Sequence, residues 1–229
     1  MGGERQVVVR GDTVVRPCAP WTATIHSLLS HLAAQGLPVP EPLELTPEYE
    51  VVRFLPGDTV ADEQSNVMSL ESVRSAGELL RAIHDGTRTW KPPADAVWAV
   101  PVEGGPVICH GDPKPGNMTW HQGHANGLFD WDDARPAERL SDVAYAVYWF
   151  TSPVGDDFHT RVEAFLDGYA WVGPFDPVRD VRERRLRAID EVEYLGKRGY
   201  EPCATWLAQG WPARWRAEAS TPEVDSHGQ

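Results

Sequence analysis

The sequence predicts an α+β chain with its strands gathered early and its helices late. Two valine-rich runs flank Gly11-Asp12 near the start. Apolar residues recur at helical spacing in several later segments. Between these lies a stretch, Cys109 to Asp142, that alternates short apolar runs with Pro, Gly and Asp and holds most of the polar motif residues.

Residues 6–16, QVVVRGDTVVR, read as a hairpin because Gly11-Asp12 can take the turn. Pro17 and Pro20 stop it, and Thr22 or Thr24 can cap a helix after them. From Thr22 to Gln35 the residues Ile25, Leu28, Leu29, Leu32 and Ala33 share one helical face, and Gly36 ends the run. Leu37 to Pro42 reads as a stiff connector and Glu50 to Leu55 as a strand closed by Pro56-Gly57. The polar segment Asp58 to Ser69 reads as a linker. A helix over about 70–84 carries Val73, Ala76, Gly77, Leu80 and Ile83 on one face. Pro92-Pro93 and Gly104-Gly105-Pro106 bracket an irregular stretch. Val107 to Cys109, Asn117 to Trp120 and Gly127 to Phe129 read as extended, with a turn at Gly123 to Asn126. Helices are expected at 143–150, capped by Asp142, at 158–169 and at 178–198. A short segment at 206–215 and a polar tail complete the chain.

Composition limits the function. The chain is 41% apolar with ten Trp, enough to bury a core and too much for a disordered tail. No run approaches the 18 or so apolar residues that a membrane helix needs, so no membrane span is expected. Acidic residues outnumber basic ones by 34 to 21, which disfavours nucleic acid as a partner and weakly favours a cationic small molecule. The most basic stretch, 179–198, mixes seven basic with five acidic residues and reads as a solvated helix face laced with ion pairs. Cys18, Cys109 and Cys203 form neither a disulfide framework nor a Cys-x-x-Cys pair, and no export signal is visible. The expected setting is therefore the reducing cytoplasm.

Chemistry concentrates in CHGDPKPGNMTWHQGHANGLFDWDDARPAERLSD, residues 109–142. Asn117 lies five residues after Asp112 in a loop crowded with Pro and Gly, and Asp130 comes thirteen residues later at the end of an apolar run. Folding about the intervening turn brings Asp130 back beside Asn117. One carboxylate and one amide oxygen suit Mg²⁺, which also keeps waters and substrate phosphates in its shell. Asp112, ahead of them, is placed to accept a proton from a hydroxyl. Asp132, Asp133 and Lys114 are further candidates for contacts to metal, phosphate or substrate. His121 and His124 offer too few ligands for zinc and read as a polar turn. His84 and His110 read as packed, hydrogen-bonded histidines.

HGDPKPGN at 110–117 with LFDWDDA at 128–134 resembles the aminoglycoside phosphotransferase and choline-kinase-like family, itself protein-kinase-like. Leu80, Arg81 and His84 extend the likeness, which runs loosely from about residue 13 to 200. The resemblance implies a two-lobed kinase-like fold, with a reduced N-lobe over 1–60 and a mainly helical C-lobe over 61–229. It implies transfer of the γ-phosphate of ATP or GTP, with Mg²⁺, to a hydroxyl of a small molecule such as an aminoglycoside-like compound or an amino alcohol. By the same resemblance Asp112 is the catalytic base, and Asn117 and Asp130 are magnesium ligands. His110 and Asp142 support the loop, and Arg16 faces the nucleotide; Lys114, a candidate from the residues themselves, is placed with it. Asp156, Asp157, Asp176 and Glu193, in the helices that form the acceptor pocket in the similar family, are candidates for that pocket.

The chain departs from the pattern near its start. There is no Gly-x-Gly-x-x-Gly turn, and the first lysine is Lys91. Arg16 is the positional match for the missing lysine, but Arg is no neutral replacement for Lys. Residues 22–35 contain no acid to pair with it, so the ordering salt bridge is expected to be absent there. These losses motivate an alternative, a non-catalytic kinase-derived binding or regulatory module. A metal-dependent hydrolase built on the same acids is a third reading.

Overall fold

Valine runs start the chain's strand pairing, as their β-branched side chains favour. In the computed structural model, which describes residues 7–61, 68–102, 104–151 and 157–220, β1 (Val8–Arg10) and β2 (Thr13–Pro17) pair antiparallel around Gly11. Helix α1 (Thr22–Ala34) comes next, then β3 (Pro42–Leu45) and β4 (Tyr49–Arg53). These strands form one antiparallel sheet in the order β1-β2-β4-β3. The expected connector over 37–42 runs straight into β3. That strand begins on a proline and needs only β4 as a partner, so as an edge it shows little local signal. In the β2–β4 register Val14 lies opposite Val52 and Arg16 opposite Glu50, so the period of two puts all four on one face. Val52 and Glu50 are buried, whereas Tyr49 and Arg53 are exposed.

Helix α2 (Leu70–Thr87) is started by Ser69, whose hydroxyl accepts the Ser72 N–H at 3.1 Å. Next come β5 (Val107–Cys109), β6 (Met118–His121), β7 (His124–Leu128) and β8 (Arg135–Ala137). The chain ends in helices α3 (Arg139–Phe150), α4 (Phe158–Tyr169), α5 (Arg179–Gly196), α6 (Cys203–Ala208) and α7 (Trp211–Ser220). β5 pairs with β8 and β6 with β7, so a hairpin is held inside a two-stranded clamp. The hairpin turn is tighter than expected. It sits at Gln122-Gly123, with φ of 50° and 81°. β8, Arg-Pro-Ala, carries no local strand signal and is ordered by its distant partner β5. α3 starts before Asp142, which lies in its first turn and does not cap it.

One apolar core links the parts. It contains Ile25, Leu28 and Leu32 of α1, Val73, Leu80 and Ile83 of α2, Val143, Val147 and Phe150 of α3, and Phe165 of α4. α2 and α4 touch backbone to backbone: a Cβ on Gly77 would lie 2.4 Å from the Phe165 carbonyl, and one on Gly168 2.0 Å from that of Arg74. This approach brings His84 against Tyr169. Asp58 and Trp120 exchange backbone hydrogen bonds of 2.8 Å, and the Leu128 N–H reaches Pro38 C=O at 3.0 Å, tying the sheet to the hairpin. No helix among the described residues is long and apolar enough to cross a membrane.

Candidate active site

The loop after β5 is shaped by a glycine and a buried carboxylate. Gly111 has φ +93°, and a Cβ there would meet the Asp133 carbonyl oxygen at 2.4 Å, so no other residue fits. The Asp142 carboxylate accepts the His110 N–H at 2.6 Å and the Gly111 N–H at 3.0 Å. It also meets His84 Nε2 at 3.1 Å, and both side chains are fully buried. Arg139 Nη1 donates to the Tyr169 hydroxyl at 3.1 Å, which leaves the hydroxyl proton for His84 Nδ1 at 2.7 Å. His84 then donates from Nε2 to Asp142. Burial alone would push the Asp142 carboxyl up, but the His84 bond, the His84 and His110 rings and the Gly111 N–H outweigh it and hold it at about 2. A charged carboxylate therefore fastens the loop.

Asp112 is held on one side only. Its Oδ2 accepts from Asn117 Nδ2 at 2.9 Å and lies 3.2 Å from Lys114 Nζ, while its buried Oδ1 has no partner. Burial raises its carboxyl above the usual range; Lys114 and His110 oppose the rise. Asn117 also donates Nδ2 to the Asp112 carbonyl at 2.9 Å, so its Oδ1 is the atom left for another ligand. The Phe129 N–H donates to Asn117 C=O at 2.9 Å, which sets the next residue, Asp130, beside the asparagine. His110 Nε2 donates to Phe129 C=O at 2.9 Å, so His110 Nδ1 accepts the Asp112 N–H at 3.3 Å. Burial lowers the His110 pKa, against the pull of Asp142 and Asp112, in keeping with this neutral ring. Asp130 itself has φ +66°, a rare setting for a residue with a Cβ, and its side chain is 53% exposed to the cleft.

Arg16 reaches the same place from the sheet. Its Nη1 is 3.6 Å from Asp130 Oδ1, and its Nη2 3.5 Å from Asp132 Oδ1. Its Nε donates to Glu50 Oε1 at 2.5 Å, and Glu50 Oε2 lies 2.7 Å from His26 Nε2 on α1. α1 supplies no acid, as expected, and a different partner takes its place: the facing residue of β4. Burial works against the Arg16 charge, yet Asp132, Glu50 and Asp130 together raise its pKa above the ordinary value. Trp21, just before α1, donates its indole N–H to Asp132 at 3.1 Å and packs edge-on against Tyr200 at 5.0 Å.

The residues singled out from the motif and the β2 position are joined by contacts: Arg16 lies near Asp130, Lys114 and Asn117 hold Asp112, and His110 and Asp142 are buried behind the loop. Of the acids proposed for the acceptor pocket, Asp157 lies 3.6 Å from Arg161, Asp176 accepts the Val178 and Arg179 N–H groups, and Glu193 meets Lys197 and Arg216. Those three sit in local pairs; Asp156 lies outside the described residues. His121 and His124 are exposed on the β6–β7 turn.

Sequence reasoning missed a second support. Arg184, expected on a solvated face, is 4% exposed. It donates Nη2 to Gly111 C=O at 2.8 Å, meets Glu191 at 3.2 Å and lies 4.5 Å over the Tyr145 ring. Arg135 bonds the same Glu191 and donates to Asp133 C=O at 2.8 Å. Lys114 Nζ stands 5.6 Å over the Trp149 ring. Burial, with the charges of Asp112, Glu191 and Asp130, raises the Asp133 carboxyl to about 7. Asn117 Oδ1, Asp130 and Asp132 are oxygen donors of the kind that suits a hard divalent cation. Beside them stand an unpartnered carboxylate oxygen and a guanidinium.

The architecture is an α+β, kinase-like fold, and the comparisons with known proteins agree with it. The phosphotransferase enzyme family (APH) matches residues 19–96 and 89–175, and the chain belongs to it. It is 32% identical over 171 residues to the trifolitoxin immunity protein of Rhizobium leguminosarum bv. trifolii, a match that takes in 70% of this chain and 64% of that relative. A choline/ethanolamine kinase family protein from Mesorhizobium loti has a similar fold, with TM-score 0.62, 19% identity and coverage of 97% and 88% of the two chains. So does the macrolide 2'-phosphotransferase MphH from Brachybacterium faecium, with TM-score 0.61, 18% identity and coverage of 93% and 85%. Aminoglycoside 2'-phosphotransferase-IIIa, solved with GDP, gives TM-score 0.64 at 14% identity over 95% and 91%.

Proposed function

We propose that the chain transfers the γ-phosphoryl group of ATP or GTP to a hydroxyl of a small molecule. The observation that carries this reading is Asp112: one oxygen is anchored by Asn117 and Lys114, and the other is buried and unpartnered beside the Asn117–Asp130 donors. In this reading Asp112 Oδ1 accepts the proton of the acceptor hydroxyl, and Asn117 Nδ2 and Lys114 keep the carboxylate turned toward it. Asn117 Oδ1 and Asp130 would hold Mg²⁺, with Asp132 close by. When bound, the metal–nucleotide pair supplies the phosphoryl group and neutralises its charge. His110 and Asp142 fix the loop and stay out of the chemistry. The part up to about residue 60 would then face the nucleotide, with Arg16 toward its phosphates, and the part from 61 would carry the acceptor. Lys114 lies on the border and can reach either.

The acceptor is less directly defined. The relative's name, an immunity protein, favours a toxin over a primary metabolite as the acceptor, and the acids Asp130 and Asp132 favour one that carries an amino group. The missing glycine-rich turn favours a second reading, capture of such a compound without transfer. The two are separated by labelled phosphate transfer from ATP and GTP to amino sugars, amino alcohols and macrolides. Turnover that disappears in Asp112→Asn supports the first reading. Acceptor binding with no transfer from either nucleotide supports the second.

A further inference from the structure

From the buried contacts behind Arg16 we infer that Glu50 is a positioning residue for nucleotide phosphates, and that His26 completes its pocket. This inference rests on the phosphotransferase reading and goes beyond it by assigning work to two residues outside every motif.

Three observations carry it. Glu50 is a carboxylate 1% exposed on a strand, a costly position that needs paired partners. One oxygen accepts from Arg16 Nε, and the other lies 2.7 Å from His26 Nε2, close enough to pair if the ring is charged but without hydrogen-bond geometry, so Glu50 brings β2 and α1 together through β4. The bond uses Nε of the guanidinium. Both Nη groups are left directed at Asp130 and Asp132, and at 3.5 and 3.6 Å they are beyond a close hydrogen bond. A guanidinium held by its Nε presents its Nη pair as a planar fork, the geometry that matches phosphate oxygens. Without Glu50 the fork has no fixed orientation, and the acids at 130 and 132 are free to draw it down onto themselves. α1 carries a histidine where an acid is missing, and the acid stands opposite, on the strand. The pairing survives with its negative member moved from helix to sheet.

The test measures binding rather than turnover. Calorimetry compares the better-bound of Mg·ATP and Mg·GTP with the corresponding nucleoside. Glu50→Gln is expected to weaken the triphosphate about tenfold or more, the scale of losing one charge-assisted orienting bond, and to change nucleoside affinity less than about twofold. Moving the acid back, in His26→Glu/Glu50→Gln, is expected to recover triphosphate affinity to within about threefold of wild type. A generic packing defect would not be repaired that way. Thermal melting checks that each variant folds, and Arg16→Gln gives the same triphosphate-specific loss if Glu50→Gln does not fold. Equal triphosphate affinity in wild type and Glu50→Gln, or Arg16→Gln in its place, would overturn the inference, as would equal losses for nucleoside and triphosphate or no recovery in the double variant. Wild type that binds neither nucleotide overturns the phosphotransferase reading as well, which separates the two failures.

Discussion

Asp142→Asn probes the way the catalytic loop is held. In the native loop one buried carboxylate serves two backbone N–H groups, at 2.6 and 3.0 Å, and the His84 ring at 3.1 Å. An asparagine keeps a single acceptor oxygen. Its amide nitrogen must face the other N–H or the protonated nitrogen of His84, and donor meets donor. One buried N–H left unpaired costs about 1–3 kcal/mol, and losing the charge on the remaining bonds adds to it, so the expected loss at pH 7 is about 2–4 kcal/mol. Linkage gives an independent size. The carboxyl is held at about 2, below its ordinary 3.8, which corresponds to about 2 kcal/mol at neutral pH. The sign is set by the depressed value: the contribution is fully present above pH 4 and is lost as pH falls through about 2. Urea unfolding followed by circular dichroism across pH 2 to 8 measures both quantities. Wild type should exceed the variant by the stated margin at pH 7, and the two should converge near pH 2. A gap under about 0.5 kcal/mol at pH 7, or one that does not depend on pH, would refute the role assigned to the carboxylate.

Asp133 should behave in the opposite sense. Its carboxyl is raised to about 7, so its ionisation costs stability as pH rises from about 4, and the full cost is reached above 7. Asp133→Asn is expected to melt like wild type at pH 4 and to be more stable by about 1–2 kcal/mol at pH 8, a modest figure because the residue is partly open to solvent. Asp112→Asn should lower kcat by about 10²–10⁴ with nucleotide affinity unchanged, checked by single-turnover transfer and calorimetry. Since burial raises the Asp112 carboxyl, the acidic limb of the wild-type rate profile should lie above pH 3.8.

The site was readable where chemistry and local geometry coincide in sequence. His110, Asp112, Asn117 and Asp130 lie on one short loop–hairpin, so spacing and turn residues alone bring them together. Arg16 is singled out as the positional match for the similar family's lysine, at the end of a strand before a helix. Glu50 is not, although its alternation with Val52 marks it as an inward-facing acid, because its purpose depends on which residue lies opposite in the sheet. Arg184 hides in a run of mixed charge; only the packing of α5 beneath Gly111 distinguishes it from its solvated neighbours. β3 and β8 escaped for a related reason. Each is short, contains a proline and is ordered by a partner distant in sequence. Asp142 is expected both to cap a helix and to support the loop; its side chain turns to the loop, where two buried N–H groups need a charged acceptor, and it does not cap α3.

Whether Asn117 and Asp130 share a cation that carries the nucleotide is measured most directly by titrating ATP and GTP into the protein with and without Mg²⁺. The geometry predicts metal-dependent binding of at least one of them, lost in Asp130→Asn while the fold is retained. Absence of binding by either nucleotide at millimolar concentration, or binding indifferent to Mg²⁺ and to Asp130, would contradict it.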